Sequence, residues 1–190
     1  MTVWDRIDQE VHERHHDLAS TSRHECARQI RTMLGVLADR GHCSSRARWQ
    51  IDAKQQGRSS YTVSVGSGTG CLSGSHPCIE LTGLDHLEDG ARLSFQVDVI
   101  TDRKPPSAQY TIGLVGKIRA DGTPWFARID LGPRGQGAGR CCHATLHGHV
   151  GQDPDSRFQA RVPLPWLLPW EALEWLLATV HPGLEPCPHS

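Results

Sequence analysis

The sequence predicts an α+β fold in one domain over residues 1–190: two N-terminal helices within 1–41, an antiparallel sheet of about six to seven strands within 46–162, and one C-terminal helix over 169–181. Three observations carry this. Apolar residues recur at helical spacing in the first forty positions, the period changes to two from residue 46, and a final apolar stripe follows ProLeuProTrp at 163–166. Runs of strands flanked by helices, without strict alternation of the two, mean α+β architecture.

Trp4, Ile7, Val11 and Leu18 form the first helical stripe, and Cys26, Ile30, Met33, Leu34 and Leu37 a tighter second one. SerArgHisGlu at 22–25 fits a capping box between them, and Gly41 stands where a C-terminal cap belongs, so helices are expected over 3–19 and 23–40. Ala47, Trp49 and Ile51 then alternate with polar residues, as do Tyr61, Val63 and Val65; these read as two strands around GlnGlyArgSer. GlySerGlyThrGly at 66–70 lacks the helix that a phosphate loop needs directly after it and reads as a loop.

Leu93 to Val99, Tyr110 to Ile118 and Trp125 to Leu131 alternate strongly, with AspGly at 121–122 turning the last pair into a hairpin. The last helix begins at Pro169, a residue suited to a first helical position, places Trp170, Leu173, Leu177 and Val180 on one face, and stops at ProGly.

Net charge is -1, so no global field draws the chain to nucleic acid or to an anionic membrane, and any nucleic-acid contact must be local. No apolar run approaches the ~18 residues of a membrane span, and the N-terminus lacks signal-peptide features; a cytoplasmic protein is expected. The seven cysteines are scattered, include no CxxC pair, and are expected as free thiols.

The chemistry concentrates in RCCHATLHGHVG, residues 140–151. On a strand, Cys142, Ala144, Leu146 and Gly148 share one face and would turn to the core, while His143, Thr145, His147 and His149 share the other and would point into solvent or a cleft. His147 and His149, two apart and roughly 7 Å along the backbone, are near enough to converge on one ion or one phosphate. A divalent metal such as zinc would need a further ligand, for which Asp130, Cys141 and Asp153 are candidates. Alternatively His147 and His149 serve in proton transfer on a phosphodiester, with Asp130 fixing a tautomer and Arg128, Arg157 or Arg161 holding phosphate. The glycine-rich loop 132–140 adds Arg134 and Arg140, placed to close over an anion. Surface histidines without function are the plain alternative.

The stretch IGLVGKIRADGTPWFARIDLGPRGQGAGRCCHATLHGHVG resembles the TumE-like small toxins of prokaryotic toxin–antitoxin modules. The shared layout is a strand, an AspGly turn, a strand ending in Arg, apolar, Asp, a basic glycine-rich loop, a His, any residue, His, then Gly, and a C-terminal helix. Leu131 departs from the Asn often found there, and the first half of the chain has no counterpart. The resemblance implies a defence-linked enzyme acting on a phosphoester of RNA or nucleotide, an antitoxin-like partner, and roles for Arg128, Asp130, His147 and His149. The competing expectation is a non-catalytic module that binds a partner protein through the N-terminal helices and Trp166, Trp170 and Trp175.

Overall fold

The computed structural model describes residues 3–65, 78–102, 106–132, 144–154 and 160–184. Helix α1 spans Val3–Ser20 and α2 spans Arg23–Asp39. Strands β1 (Asp52–Gln55), β2 (Tyr61–Val65), β3 (Ile79–Leu81), β4 (Ala91–Ile100), β5 (Ser107–Lys117), β6 (Pro124–Leu131), β7 (Leu146–Gly151) and β8 (Ala160–Pro163) follow, and α3 (Pro169–Ala178) closes the order. The eight strands form one antiparallel sheet in the order β1-β2-β4-β5-β6-β7-β8, with β3 pairing β4. This is the expected α+β fold.

Local chemistry explains the boundaries. Ser22 Oγ accepts from Glu25 N at 3.1 Å, which caps α2, and Gly41 ends it at φ 79°, a left-handed conformation that glycine adopts without steric cost. Leu168 N donates to Glu171 Oε2 at 2.7 Å and stabilises the first turn of α3. Between β5 and β6, Gly122 takes φ 70° as the AspGly turn requires.

The first expected strand is corrected. Ala47–Trp49 is a 3-10 turn, because backbone bonds Ala47 N to Ser44 O and Trp49 N to Arg46 O close tight loops where alternation suggested extension. Strand pairing starts only at Asp52, opposite Ser64. Two short strands, β3 and β8, carry too little periodicity to be read from sequence. The stretch 66–77 lies outside the described residues.

Alternate residues of the sheet have different fates. Leu93, Phe95, Val97 and Val99 of β4, Tyr110, Ile112 and Leu114 of β5, and Ala127, Ile129 and Leu131 of β6 share one core with the apolar stripes of α1, α2 and α3. Tyr61 Oη donates to Thr21 O, and Tyr110 Oη donates to Leu167 O, which ties this face to the helical layer. Cys26 sits in that core, its thiol pushed up to about 12 by burial, and with Cys43 and Cys78 it is a free thiol. No described helix is long and apolar enough to cross a membrane.

Trp166 is 4 % exposed and belongs to the core, while Trp175 is exposed, so the tryptophan-rich segment is mainly a packing element. His15 is almost wholly buried on α1 beside the Trp166 ring, filling the heptad-like gap between Val11 and Leu18 that the sequence stripe left open.

Candidate metal centre

The opposite face of the sheet carries the polar alternates, and strand register arranges them in rows. Thr111 pairs Asp130, Asp130 pairs His147, and His147 pairs Pro163. One row over, Arg128 pairs His149, and His149 pairs Arg161. Sheet parity therefore brings Asp130, His147 and His149 together, with an arginine on each side of His149.

His149 Nε2 lies 3.3 Å from Asp130 Oδ2 and His147 Nε2 lies 4.0 Å from it. One ligand-type atom from each of the three residues falls within 4.8 Å of the others. Donor atoms around a tetrahedral zinc, each about 2.0–2.2 Å from the ion, lie roughly 3.3–3.5 Å apart, so a small side-chain adjustment would bring this set to coordination distance.

His147 Nδ1 stands 2.9 Å from the Ala144 carbonyl. A carbonyl only accepts, so Nδ1 carries a proton, and Nε2 is the nitrogen turned toward Asp130. A backbone oxygen on the remote nitrogen is the support that metal-binding imidazoles use to fix tautomer and ring orientation. The two imidazoles stand edge to face with centroids 4.8 Å apart.

Asp130 is held from the other side as well. Arg128 Nε donates to Oδ2 at 2.7 Å and Thr111 Oγ1 donates to Oδ1 at 2.8 Å. Burial by itself would raise the Asp130 carboxyl. The His149 hydrogen bond, the Arg128 charge, the Thr111 hydroxyl and the His147 charge together outweigh it, so the group titrates below the usual carboxylate range. It is ionised at neutral pH, as a metal ligand must be.

Of solvent and a cleft, the two expected surroundings, open solvent is excluded for this pair: His147 is 4 % exposed and His149 is 2 % exposed. The accessible edge of the cluster is Asp130 and Arg128, each with 18 % of its side chain exposed. His149 Nδ1 is buried without a hydrogen-bond partner among the described residues. An orphaned buried imidazole nitrogen costs about 1–3 kcal/mol, a cost that packing alone does not explain.

On the core side of β7 the expectation holds for Leu146, which is buried, and for Gly148, where an added Cβ would stand 3.5 Å from Leu164 Cδ1. Gly151 lies beneath the Phe126 ring, 3.0 Å from its own would-be Cβ, so the phenyl group closes the polar row at that end. The start of β7 is anchored to α1, where Asp8 Oδ1 accepts from Thr145 N at 2.8 Å.

Of the other expected site residues, Arg161 is exposed at the end of the His149 row. Arg128 is in place but spends its Nε on Asp130. Asp153 is exposed and stands outside the triad. Arg134, Arg140, Cys141, His143 and Arg157 lie outside the described residues. Thr111 was missed, although counting outward from the AspGly turn places it opposite Asp130. Comparison with known proteins finds no matching protein-family profile, no matching curated protein and no matching solved structure.

Proposed function

We propose that Asp130, His147 and His149 bind one divalent ion of the zinc class, and that this centre acts on a phosphoester of RNA or nucleotide. The observation that supports the reading is the convergence of two buried imidazoles and an ionised carboxylate within 4.8 Å. Two histidines with one carboxylate leave a coordination position open, the pattern of catalytic rather than structural zinc sites. Such an ion supplies Lewis acidity toward a phosphoryl oxygen and toward water.

The chain's own residues do the rest. Asp130 holds the charge that makes a cation favourable in a partly buried place, and Thr111 and Arg128 fix its rotamer. Arg128 and Arg161, on either side of His149 across the sheet, give the anionic substrate its counter-charge along one row. Entry is from the Asp130 and Arg128 edge. The toxin-like role, with an antitoxin-like partner and a cytoplasmic setting, rests on the resemblance of residues 112–151 and belongs to the same proposal. A partner surface built on the tryptophan-rich segment would have to rely on Trp175, since Trp166 is internal.

Incubation of zinc-loaded protein with labelled single-stranded RNA and with cyclic nucleotides tests the reaction. Product should form with the parent protein, and His147→Ala should slow it by roughly 100-fold or more, the scale expected when a metal site is lost. Absence of turnover on all these substrates by protein shown to hold zinc overturns the phosphoesterase reading. Expression of the gene by itself should arrest bacterial growth; normal growth with soluble protein accumulating overturns the toxin role.

A further inference from the structure

On the far side of the molecule, α2 turns a second stripe away from the core. Its buried positions are Cys26, Ala27, Ile30, Leu34 and Leu37. His24, Arg28, Arg31, Thr32 and Gly35 repeat at spacings of three and four on the outward side, and with Arg48 of the 3-10 turn they line a groove of about 580 Å³. Glu25 is the one acid in that lining.

The charges in the groove differ in how they are used. Arg28 is committed to Glu25 through Nε at 3.0 Å and Nη2 at 2.6 Å. Arg31 and Arg48 have no hydrogen bond or ion pair among the described residues, and Arg31 Nε is buried without an acceptor. Arg48 lies 5.3 Å from the centroid of Trp49, which is 73 % exposed. Gly35 is in mid-helix, and nothing stands within 4 Å of a Cβ built there. Glycine in such a place costs about 0.5–1 kcal/mol against alanine, with no packing need to justify it, and it keeps the groove floor open to an approaching backbone.

We propose that this groove binds single-stranded nucleic acid, the sugar-phosphate backbone running along Arg31 and Arg48 and one base stacking on Trp49. Two arginines without acid partners, one of which, Arg48, stands over the exposed Trp49 indole at the end of the groove, match a polyanion that carries flat aromatic groups at regular intervals. A chain of net charge -1 offers no global attraction, so this local patch is where such a ligand gains its contacts. The site is separate from the Asp130 centre, and its failure and that of the metal reading are independent.

Fluorescence anisotropy of a labelled uridine oligonucleotide at low salt tests it, with poly-glutamate as the parallel acidic polypeptide. The parent protein should bind the oligonucleotide in the range of about 10⁻⁶–10⁻⁴ M typical of non-specific contacts. Arg31→Gln with Arg48→Gln should weaken binding at least about 10-fold and lower the slope of log affinity against log salt by about 1.4, two phosphate contacts at ~0.7 each. Trp49→Ala should weaken it roughly 5- to 100-fold, the range for loss of one stacked base. Arg48 and Trp49 are exposed, and Arg31 is half-buried with an Nε that has no acceptor to lose, so the variants should keep the parent's thermal unfolding midpoint and its zinc content. No oligonucleotide binding, binding insensitive to these variants, or equal binding of poly-glutamate overturns the proposal.

Discussion

Two carboxylates stand on the same polar face of the sheet, one strand to either side of β5, and their company differs. Asp98 of β4 accepts from Thr62 Oγ1 at 2.6 Å, Gln96 Nε2 at 2.8 Å and Gln109 Nε2 at 3.2 Å, all neutral donors. Asp130 of β6 accepts from one hydroxyl and one guanidinium, and faces two imidazoles that are more deeply buried than itself. Neutral amides and hydroxyls satisfy a carboxylate and bring no imidazole ligand beside it. Imidazoles bring lone pairs into the same space, which serves chemistry and adds little to packing. The β2–β4–β5 side of the face is thus a surface hydrogen-bond network, and the β6–β7 side is equipped to hold a cation.

The sharpest separation comes from deleting each carboxylate. Asp130→Ala leaves Arg128 and His149 without their acceptor in a largely buried setting, which should cost about 2–4 kcal/mol in urea unfolding, with zinc binding lost. Asp98→Ala removes neutral hydrogen bonds at a half-buried position and should cost about 1–2 kcal/mol with zinc binding intact. Equal loss of zinc in both variants would erase the distinction drawn between them.

His149→Phe probes the trade between stability and function. It removes an orphaned nitrogen and keeps an aromatic ring in a nearly closed space, but it also takes the Nε2 hydrogen bond from Asp130, so unfolding stability should fall by only about 1–2 kcal/mol, less than in Asp130→Ala, while zinc binding disappears. A large loss of stability would mark the imidazole as structural.

Acid gives the smallest effect. Asp130 has its folded pKa below the unfolded value, so its contribution is fully present above the ordinary carboxylate range and is lost as pH falls through the folded pKa. The difference in stability between the parent and Asp130→Asn should therefore be constant near neutrality and shrink below about pH 4, the region of the unfolded carboxylate. A difference that grows on acidification would contradict the depressed pKa.

The architecture was legible where period and punctuation agreed. Strands β4 to β6 each carry long alternation, and AspGly at 121–122 sets the register that places Arg128 and Asp130 on one face. Parity alone also put His147 and His149 on the face of Asp130. Burial of the two histidines was not legible, because alternation says which face a side chain takes and nothing of what shields that face. Ala47–Trp49 failed for a related reason: three alternating residues fit a 3-10 turn as well as a strand, and only the Ser44 and Arg46 carbonyls decide. The basic stripe on α2 was hidden because arginines spread through the sequence converge only after the helix and the 3-10 turn pack together.

The most direct test is the zinc content of tag-free protein after zinc loading and desalting, measured for the parent and for Asp130→Ala combined with His147→Ala. One zinc per parent chain, with none retained by the folded variant, is the predicted result. A parent chain that retains no zinc, or a variant that retains as much, would contradict the centre proposed at Asp130, His147 and His149.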